Sequence, residues 1–440
     1  MQEQVNPQKE SAYKNLKNSS ESISDIKTNI AETDLPANNY GNEKDISMGF
    51  LKNFYDFTEQ TFAQVIRNNE GKNQIYAPLN FYLSLSMLNE LSEGEAKEEI
   101  HKALNISDAN DNSSELITAL FSLQERRIWP MGFTIGKLNI NTSLWLNDEL
   151  NYRDDLLNIL KSRYNTEIFK GNLKDREFQD LMAKWVYENA DFEFQPDHKK
   201  SPDRTDPYAS FDMTDQFSFI SFSTLDFYDE WMNQFDEEDT RTDTFFISDN
   251  EKISCDFMNM EIWDHPFMIG EDYISTTCFL KGGAEFMLFI LPKEGLSVDD
   301  LTEEKGKLSE IIYYWTDEHD SAGKIDGGKV TLSVPKFSYE NEIDLTPITK
   351  RLGINKVFEK NAKAFSSFSD EDIYISGIRQ ASKIEINEKG CSASSYTVIH
   401  AVGSAGLRGE AEIILNRPFI YILYKDKIPF LAGVVRNPLG

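Results

Sequence analysis

The side chains able to carry out covalent chemistry are few and widely spaced in this chain. The five histidines lie at positions 101, 198, 265, 319 and 400, which is not the spacing of metal ligands, so no metal or other cofactor is expected. Cys391 and His400 could imitate a thiol and its base, but they lie on one flexible stretch that would not fix their geometry. The sequence lacks the Gly-x-Ser-x-Gly and His-Glu-x-x-His patterns of hydrolases. We therefore expect a protein that is not an enzyme.

One stretch, residues 386–415, has an unusual composition. Ile384 and Ile386 alternate with polar neighbours, as in a half-buried strand, and Gly390 ends that pattern. Small, hydroxylated and β-branched side chains then predominate up to residue 405, and Gly403, Gly406 and Gly409 lie towards the far end. Such a segment is able to lie exposed as a loop and equally able to lie in a sheet. Taken alone, it would be interpreted as a flexible linker.

On this stretch the sequence resembles the serpin family, whose reactive loop follows a Glu-x-Gly hinge. Glu388-Lys389-Gly390 matches the hinge, and the run Asn-Arg-Pro-Phe-Ile-Tyr at 416–421 matches the strand that closes the loop. The resemblance continues in the family's order from residue 47 to about residue 438. It implies a bacterial-type serpin with an α+β fold of three β-sheets, eight or nine helices and an exposed reactive loop.

The resemblance also implies a mechanism of inhibition. A serine protease, or also a cysteine protease, cleaves the loop, which inserts as a new strand of the main sheet and traps the acyl-enzyme. Counting from the hinge puts the cleaved bond between Ser404 and Ala405; Val402 or Leu407 would precede the bond if the register slipped, and Arg408 is least favoured. Small residues around the bond predict a target with a small primary pocket, elastase-like or subtilisin-like.

Side chains alternate between the two faces of an inserted strand. One face would carry small or uncharged residues that suit a core, namely Cys391, Ala393, Ser395 and Thr397. Tyr396 falls on the other face and departs from the family's preference for small residues. The predicted hinge and inserting face thus consist of Glu388, Gly390 and these four small residues.

Further positions match sites that support opening of the main sheet in serpins. Lys336 and Glu388 match an ion pair at the top of the sheet, and Trp231 matches a nearby aromatic residue. For each charge the alternative is an exposed group of little energetic weight. The mid-sheet cluster departs from the family, with Ala77 and Asn80 in place of two serines, Ser223 in place of an asparagine and Gln380 in place of a histidine. With Tyr396, this altered cluster favours the alternative of a non-inhibitory serpin that carries a ligand or acts as a chaperone.

Hydrophobic periodicity predicts the elements that position these sites. Residues 1–46 are polar and are predicted to be a disordered tether, and residues 47–440 to be a single domain. Helices are predicted at 47–68, 82–91, 95–103, 154–164, 183–190 and 344–352. Strands are predicted at 75–80, 138–146, 217–227, 240–247, 284–291, 331–337, 419–424 and 430–435. Inserts are expected at 195–216 and around Trp129.

Composition limits the partners of the protein. A net charge of −29 argues against nucleic acid, because so acidic a protein would not replace the counterions of a phosphate backbone. The sequence has no 18-residue apolar run that could span a membrane, and three cysteines cannot form a disulfide framework. The first residues lack a basic end and an apolar core. We expect a monomer that is secreted, periplasmic or held at the cell surface, with any signal or anchor already removed.

Overall fold

The computed structural model describes residues 46–68, 71–106, 115–116, 137–190, 218–281, 285–316, 324–375, 377–391, 409–425 and 427–440. These ranges contain eight α-helices: α1 (Met48–Asn68), α2 (Pro78–Leu91), α3 (Gly94–Ala103), α4 (Asp154–Tyr164), α5 (Arg176–Ala190), α6 (Asp300–Glu303), α7 (Lys307–Thr316) and α8 (Thr346–Arg351). Fifteen strands fall in the same ranges: β1 (Gln74–Tyr76), β2 (Lys137–Asn147), β3 (Glu167–Gly171), β4 (Phe219–Glu230), β5 (Arg241–Ser248), β6 (Glu251–Ile269), β7 (Tyr273–Phe279), β8 (Glu285–Pro292), β9 (Asp326–Pro335), β10 (Phe337–Asp344), β11 (Arg379–Asn387), β12 (Gly390–Cys391), β13 (Glu410–Ile414), β14 (Phe419–Lys425) and β15 (Ile428–Val435).

The main sheet has six strands in the order β10-β11-β12-β4-β2-β3. Within the described residues, β4 and β11 each pair with β12 and not with each other. Because β12 is only two residues long, most of the facing edges of β4 and β11 meet no other described strand. We call the space between these two strands the slot.

Two further sheets share the long strand β6, so the fold is mixed α+β with three sheets. Most of β6 pairs with β5 and β9, and β13 lies parallel to β9. The last residues of β6 pair with β7, from which the third sheet continues through β8, β14, β15 and β1. The register shifts between Ile262 and His265, and Asp264 has a φ of 54°. This irregularity bends β6 where it passes from one sheet to the other.

The centre of the core is the hairpin of β14 and β15, whose strand residues are all buried. Its continuous apolar sequence is typical of strands covered on both faces. On one face, Phe430 contacts Phe227 of the main sheet with ring centroids 5.0 Å apart. Helices α1 and α2 also pack against β15. The hydroxyl of Ser47 accepts a hydrogen bond from the backbone N–H of Phe50 and caps α1.

Several predicted elements are confirmed and others differ in their bounds. The helix predicted at 154–164 has the bounds of α4. Helix α2 starts at Pro78, earlier than predicted, because proline fits the first turn of a helix. The strand predicted at 217–227 and ending near Trp231 is β4, which runs from Phe219 to Glu230. Neither β6 nor α7 is predicted by the sequence; in β6 a register shift between Ile262 and His265 interrupts the alternation of side chains. The expected inserts, and most of the predicted tether, lie outside the described residues, so the domain division stays a prediction.

Candidate functional site: the hinge and the slot

Glu388 lies at the top of the main sheet, at the start of the hinge, which we define as residues 388–391. The Nζ of Lys336 is 3.0 Å from Oε1 of Glu388, and the hydroxyl of Thr240 donates to the same oxygen at 2.8 Å. Burial opposes ionisation of Glu388, but bonds from its own backbone N–H, Lys336 and Thr240 outweigh that effect and hold its pKa below the usual value. The carboxylate therefore fixes the hinge to the junction of β9 and β10 and to the residue that precedes β5.

The segment after β4 holds the backbone of the hinge. The backbone N–H of Trp231 donates to the carbonyl of Lys389 at 3.0 Å, and its indole N–H donates to the carbonyl of Asn387 at 2.9 Å. The backbone N–H of Phe235 donates to the carbonyl of Glu388 at 3.1 Å. Trp231 is only 1% exposed. Residues 231–235 thus form a clamp over the hinge, which we call the hinge clamp.

Gly390 brings the hinge into the slot. It lies opposite Asn387 of β11 and Glu230 of β4. A Cβ atom at this position would lie 2.4 Å from the carbonyl oxygen of Asp229 and 2.5 Å from Cα of Glu230. No larger residue fits without moving the strand, so glycine allows the chain to begin its passage between β4 and β11. Cys391 continues β12 opposite Ile386 and Asp229.

The four mid-sheet positions connect the two walls of the slot to the start of α2. On the β11 side, the amide of Gln380 accepts from the backbone N–H of Ala77 at 2.7 Å and donates to its carbonyl at 2.9 Å. On the β4 side, the amide of Asn80 donates to the hydroxyl of Ser223 at 2.9 Å. Ala77, Asn80 and Gln380 are buried. The altered cluster therefore forms its own pair of contacts, one to each wall.

The remaining predicted site residues lie outside the described residues. These are Ala393, Ser395 and Thr397 of the inserting face, Tyr396, and the bond between Ser404 and Ala405. Described chain resumes at Gly409, before β13. The two ends of the loop are thereby held in two different sheets.

Three groups at the hinge are not predicted by the sequence. Thr240 binds Glu388, and a buried ion pair of Glu230 and Lys281 lies beside the clamp, with 2.7 Å between Nζ and Oε2. Charged residues are usually exposed, so neither partner of the pair would be placed in a core from its type alone. Only the three-dimensional arrangement identifies them.

The described residues show neither a metal-binding cluster nor a membrane span. In these ranges no three His, Cys, Asp or Glu side chains are grouped to hold a metal ion. His265 is buried, its Nε2 lies 2.7 Å from the carbonyl oxygen of Thr277, and burial lowers its pKa. That contact indicates a packing role. Among the helices that the structure describes, none is long and apolar enough to cross a membrane.

Comparison with known proteins agrees with this architecture. Antitrypsin of Bombyx mori is 23% identical over 399 residues, covering 88% of this chain and 94% of the relative. Plasminogen activator inhibitor 1 of Bos taurus is 26% identical over 386 residues, covering 84% of this chain and 87% of the relative. The crystal structure of the thermophilic serpin tengpin in its native state has a TM-score of 0.73 at 22% identity and covers 90% of this chain and 96% of its own.

Human thyroxine-binding globulin in complex with thyroxine has a TM-score of 0.72 at 19% identity, covering 89% of this chain and 99% of its own. Insect and mammalian relatives of this kind do not support the expected bacterial type. The family model described as serpin (serine protease inhibitor) matches residues 52–438. Since that match covers most of the sequence and agrees with the three sheets and the hinge, the chain belongs to the serpin family.

Proposed function

We propose that this serpin is a suicide inhibitor of a serine protease with a small primary pocket, elastase-like or subtilisin-like. Its family contains protease inhibitors rather than catalysts, which suits a chain without a recognisable catalytic set. The observation that carries the proposal is the slot, where β4 and β11 pair with the two hinge residues of β12 and not with each other. An added strand could complete the pairing of both edges.

The proposed sequence of events starts at the bond between Ser404 and Ala405. The protease serine attacks the carbonyl of Ser404, the peptide bond breaks, and the new amino group leaves on Ala405. The loop then inserts from Gly390 onward, with Cys391, Ala393, Ser395 and Thr397 facing the core, before water can release the acyl-enzyme. Roughly a dozen new backbone hydrogen bonds, each worth about 0.5 to 1.5 kcal/mol net, would provide on the order of 10 kcal/mol for distorting the protease.

The direct test is to mix the protein with pancreatic elastase or subtilisin and to look for a conjugate that survives SDS. Mass spectrometry of the released C-terminal fragment must then show a peptide that begins at Ala405. Changing Ser404→Arg supplies a cation for an acidic primary pocket, so it should create trypsin inhibition and weaken elastase inhibition. Fragments that begin at Gly403 or Arg408 would move the bond to the alternative positions, and absence of any conjugate would contradict the proposal.

A second candidate, carriage of a small ligand, is favoured by one cavity. A space of about 370 Å³ lies between α1 and α7, lined by Met48, Lys52, Tyr55, Asp56, Gly306, Ser309, Glu310 and Tyr313. This volume falls in the range of small-molecule sites. Thyroxine-binding globulin, similar in fold, has been solved with thyroxine. If carriage were the function, thyroxine or a similar aromatic acid should raise the melting temperature of the uncleaved protein, whereas an unchanged temperature would dismiss this ligand class.

Location and assembly belong to the same proposal. We propose a secreted or cell-surface monomer whose residues 1–46 form a tether outside the inhibitory domain. Deletion of residues 1–44 should then leave the melting temperature and the yield of protease conjugate unchanged, because that segment has too few apolar residues to pack.

A further inference from the structure

Two buried ion pairs lie where β7 ends and β8 begins. Nζ of Lys281 is 2.7 Å from Oε2 of Glu230, and these side chains are 5% and 2% exposed. Nζ of Lys425 is 3.5 Å from Oε1 of Glu285, and these side chains are 6% and 0% exposed. Buried ion pairs rarely stabilise a protein more than apolar residues of the same size would. Stability alone therefore does not explain why a pair of charges is buried beside the hinge.

The first pair contacts the hinge, whereas the second lies within the third sheet. Glu230 is the residue of β4 that faces Gly390. The amide of Gln234 donates to Oε2 of Glu230 at 2.9 Å and to the carbonyl of Lys389 at 3.4 Å. By contrast, Lys425 and Glu285 are register partners on β14 and β8. The Glu230–Lys281 pair thus lies next to the hinge, whereas the Glu285–Lys425 pair joins two neighbouring strands away from it.

The Glu230–Lys281 pair also ties β4 to the third sheet. The backbone N–H of Lys281 donates to the carbonyl of Glu230 at 2.9 Å, and Trp231 forms an isolated bridge with Leu280. The donors of the hinge clamp follow Glu230 within five residues. The position of these donors therefore depends on how firmly Glu230 is held. The hydrogen bond from Gln234 to Glu230 helps to hold them, because a hydrogen bond to a charged group is about twice as strong as one between neutral groups.

We propose that Glu230 and Lys281 are positioning residues for loop insertion, which hold the hinge clamp so that residues 388–391 stay in the slot before cleavage. The pair acts through Gln234 and the backbone of the clamp and need not touch the protease. Insertion then starts from a strand that is already paired at Gly390. The loop can therefore insert before water hydrolyses the acyl-enzyme. This inference rests on the proposed inhibitory function, but the position of the hinge can be measured without a protease.

The experiment compares two double variants that each remove one buried ion pair. Glu230→Gln with Lys281→Met neutralises the pair beside the hinge, and Glu285→Gln with Lys425→Met is the matched control. Amide hydrogen exchange, followed by mass spectrometry on peptides covering 228–235 and 386–391, reports opening of the hinge. We expect exchange there to be about tenfold faster in the first variant and unchanged in the control, after comparison at equal global stability.

A third variant separates the loss of a contact at the hinge from misfolding of the double variant. Gln234 is exposed, so Gln234→Ala should fold normally, and it should speed exchange of the same two peptides to a smaller degree. With elastase, a larger fraction of the Glu230/Lys281 variant should be cleaved as a substrate without trapping the protease. More molecules of this variant than of the parent should then be needed to inhibit one molecule of elastase. Equal exchange in both double variants, or parental exchange in both the Glu230/Lys281 and Gln234 variants, would overturn the inference. Failure of the parent to form a conjugate would contradict the proposed function alone, because the exchange result stands without it.

Discussion

The carboxylate of Glu388 must be ionised to hold Lys336 and Thr240 together. Its pKa in the folded protein lies below the ordinary value of 4.5. The stability contributed by these contacts is therefore complete above that ordinary value and is lost as the pH falls through the lower folded pKa. The denaturation midpoint of the parent should exceed that of Glu388→Gln most at neutral pH, and the difference should shrink in acid. A difference that stays constant from about pH 7 to about pH 3 would show that the charge is not involved.

Gly390 permits the closest approach of two strands in the hinge. Gly390→Ala would place a Cβ within 2.4 Å of the carbonyl oxygen of Asp229, so β12 must move away from β4. We expect a loss of about 1–3 kcal/mol of stability, in the range of other overpacked sites, and faster amide exchange at 386–391. Gly327→Ala is the matched control, because a Cβ there would have no neighbour within 4 Å. Equal effects of the two changes would mean that close approach at the hinge is not required.

Helix α2 and Ala77, the residue before it, contact both walls of the slot. Gln380→Ala would remove both bonds to the backbone of Ala77 and leave a buried N–H without that acceptor. Such a loss costs about 1–3 kcal/mol, and the β11 wall should separate from α2 more readily. Urea denaturation measures the loss, with the exposed residue Lys383→Ala on the same strand as the control. If the two variants were equally stable, the contact would carry little weight.

At the four mid-sheet positions, the residue types show which residues differ from the family, and the contacts show how the replacements are accommodated. Residue types alone indicated a departure from the family, because two expected serines, an asparagine and a histidine were replaced. The contacts show that Gln380 satisfies the backbone of Ala77 while Asn80 binds Ser223. The replacements were thus recognisable from the sequence, whereas their compensation depended on distances between elements far apart in the chain.

Most of the facing edges of β4 and β11 meet no other described strand, which predicts that the uncleaved form is not the most stable one. Cleavage near Ser404 by a protease that escapes should let the loop pair with both β4 and β11. We expect the melting temperature to rise by tens of degrees, since about a dozen bonds would add on the order of 10 kcal/mol. Calorimetry before and after verified cleavage is the measurement. An unchanged transition would contradict insertion.

Much of the fold could be predicted from the sequence because long apolar or strongly periodic segments dominate it. The buried hairpin at 419–435 and the helix at 154–164 were of this kind. Strand β6 was missed because its irregular register at 262–265 interrupts the alternation of side chains. At the hinge, Glu388, Gly390 and Lys336 were indicated by the family resemblance. The buried pair of Glu230 and Lys281 was not, because burial of charge depends on tertiary contacts that no local pattern encodes.

The pairing of β1 with β15 has a consequence for synthesis of the chain. Gln74 lies opposite Val434, so the first described strand must wait for the last described strand before its edge is covered. During that interval the helices α1 and α2 have no β15 to pack on, and their apolar faces are open to other chains. Pairing over such a distance is also slow, because a long loop must close first. The nascent protein is therefore expected to need chaperone protection until residues 419–435 have emerged.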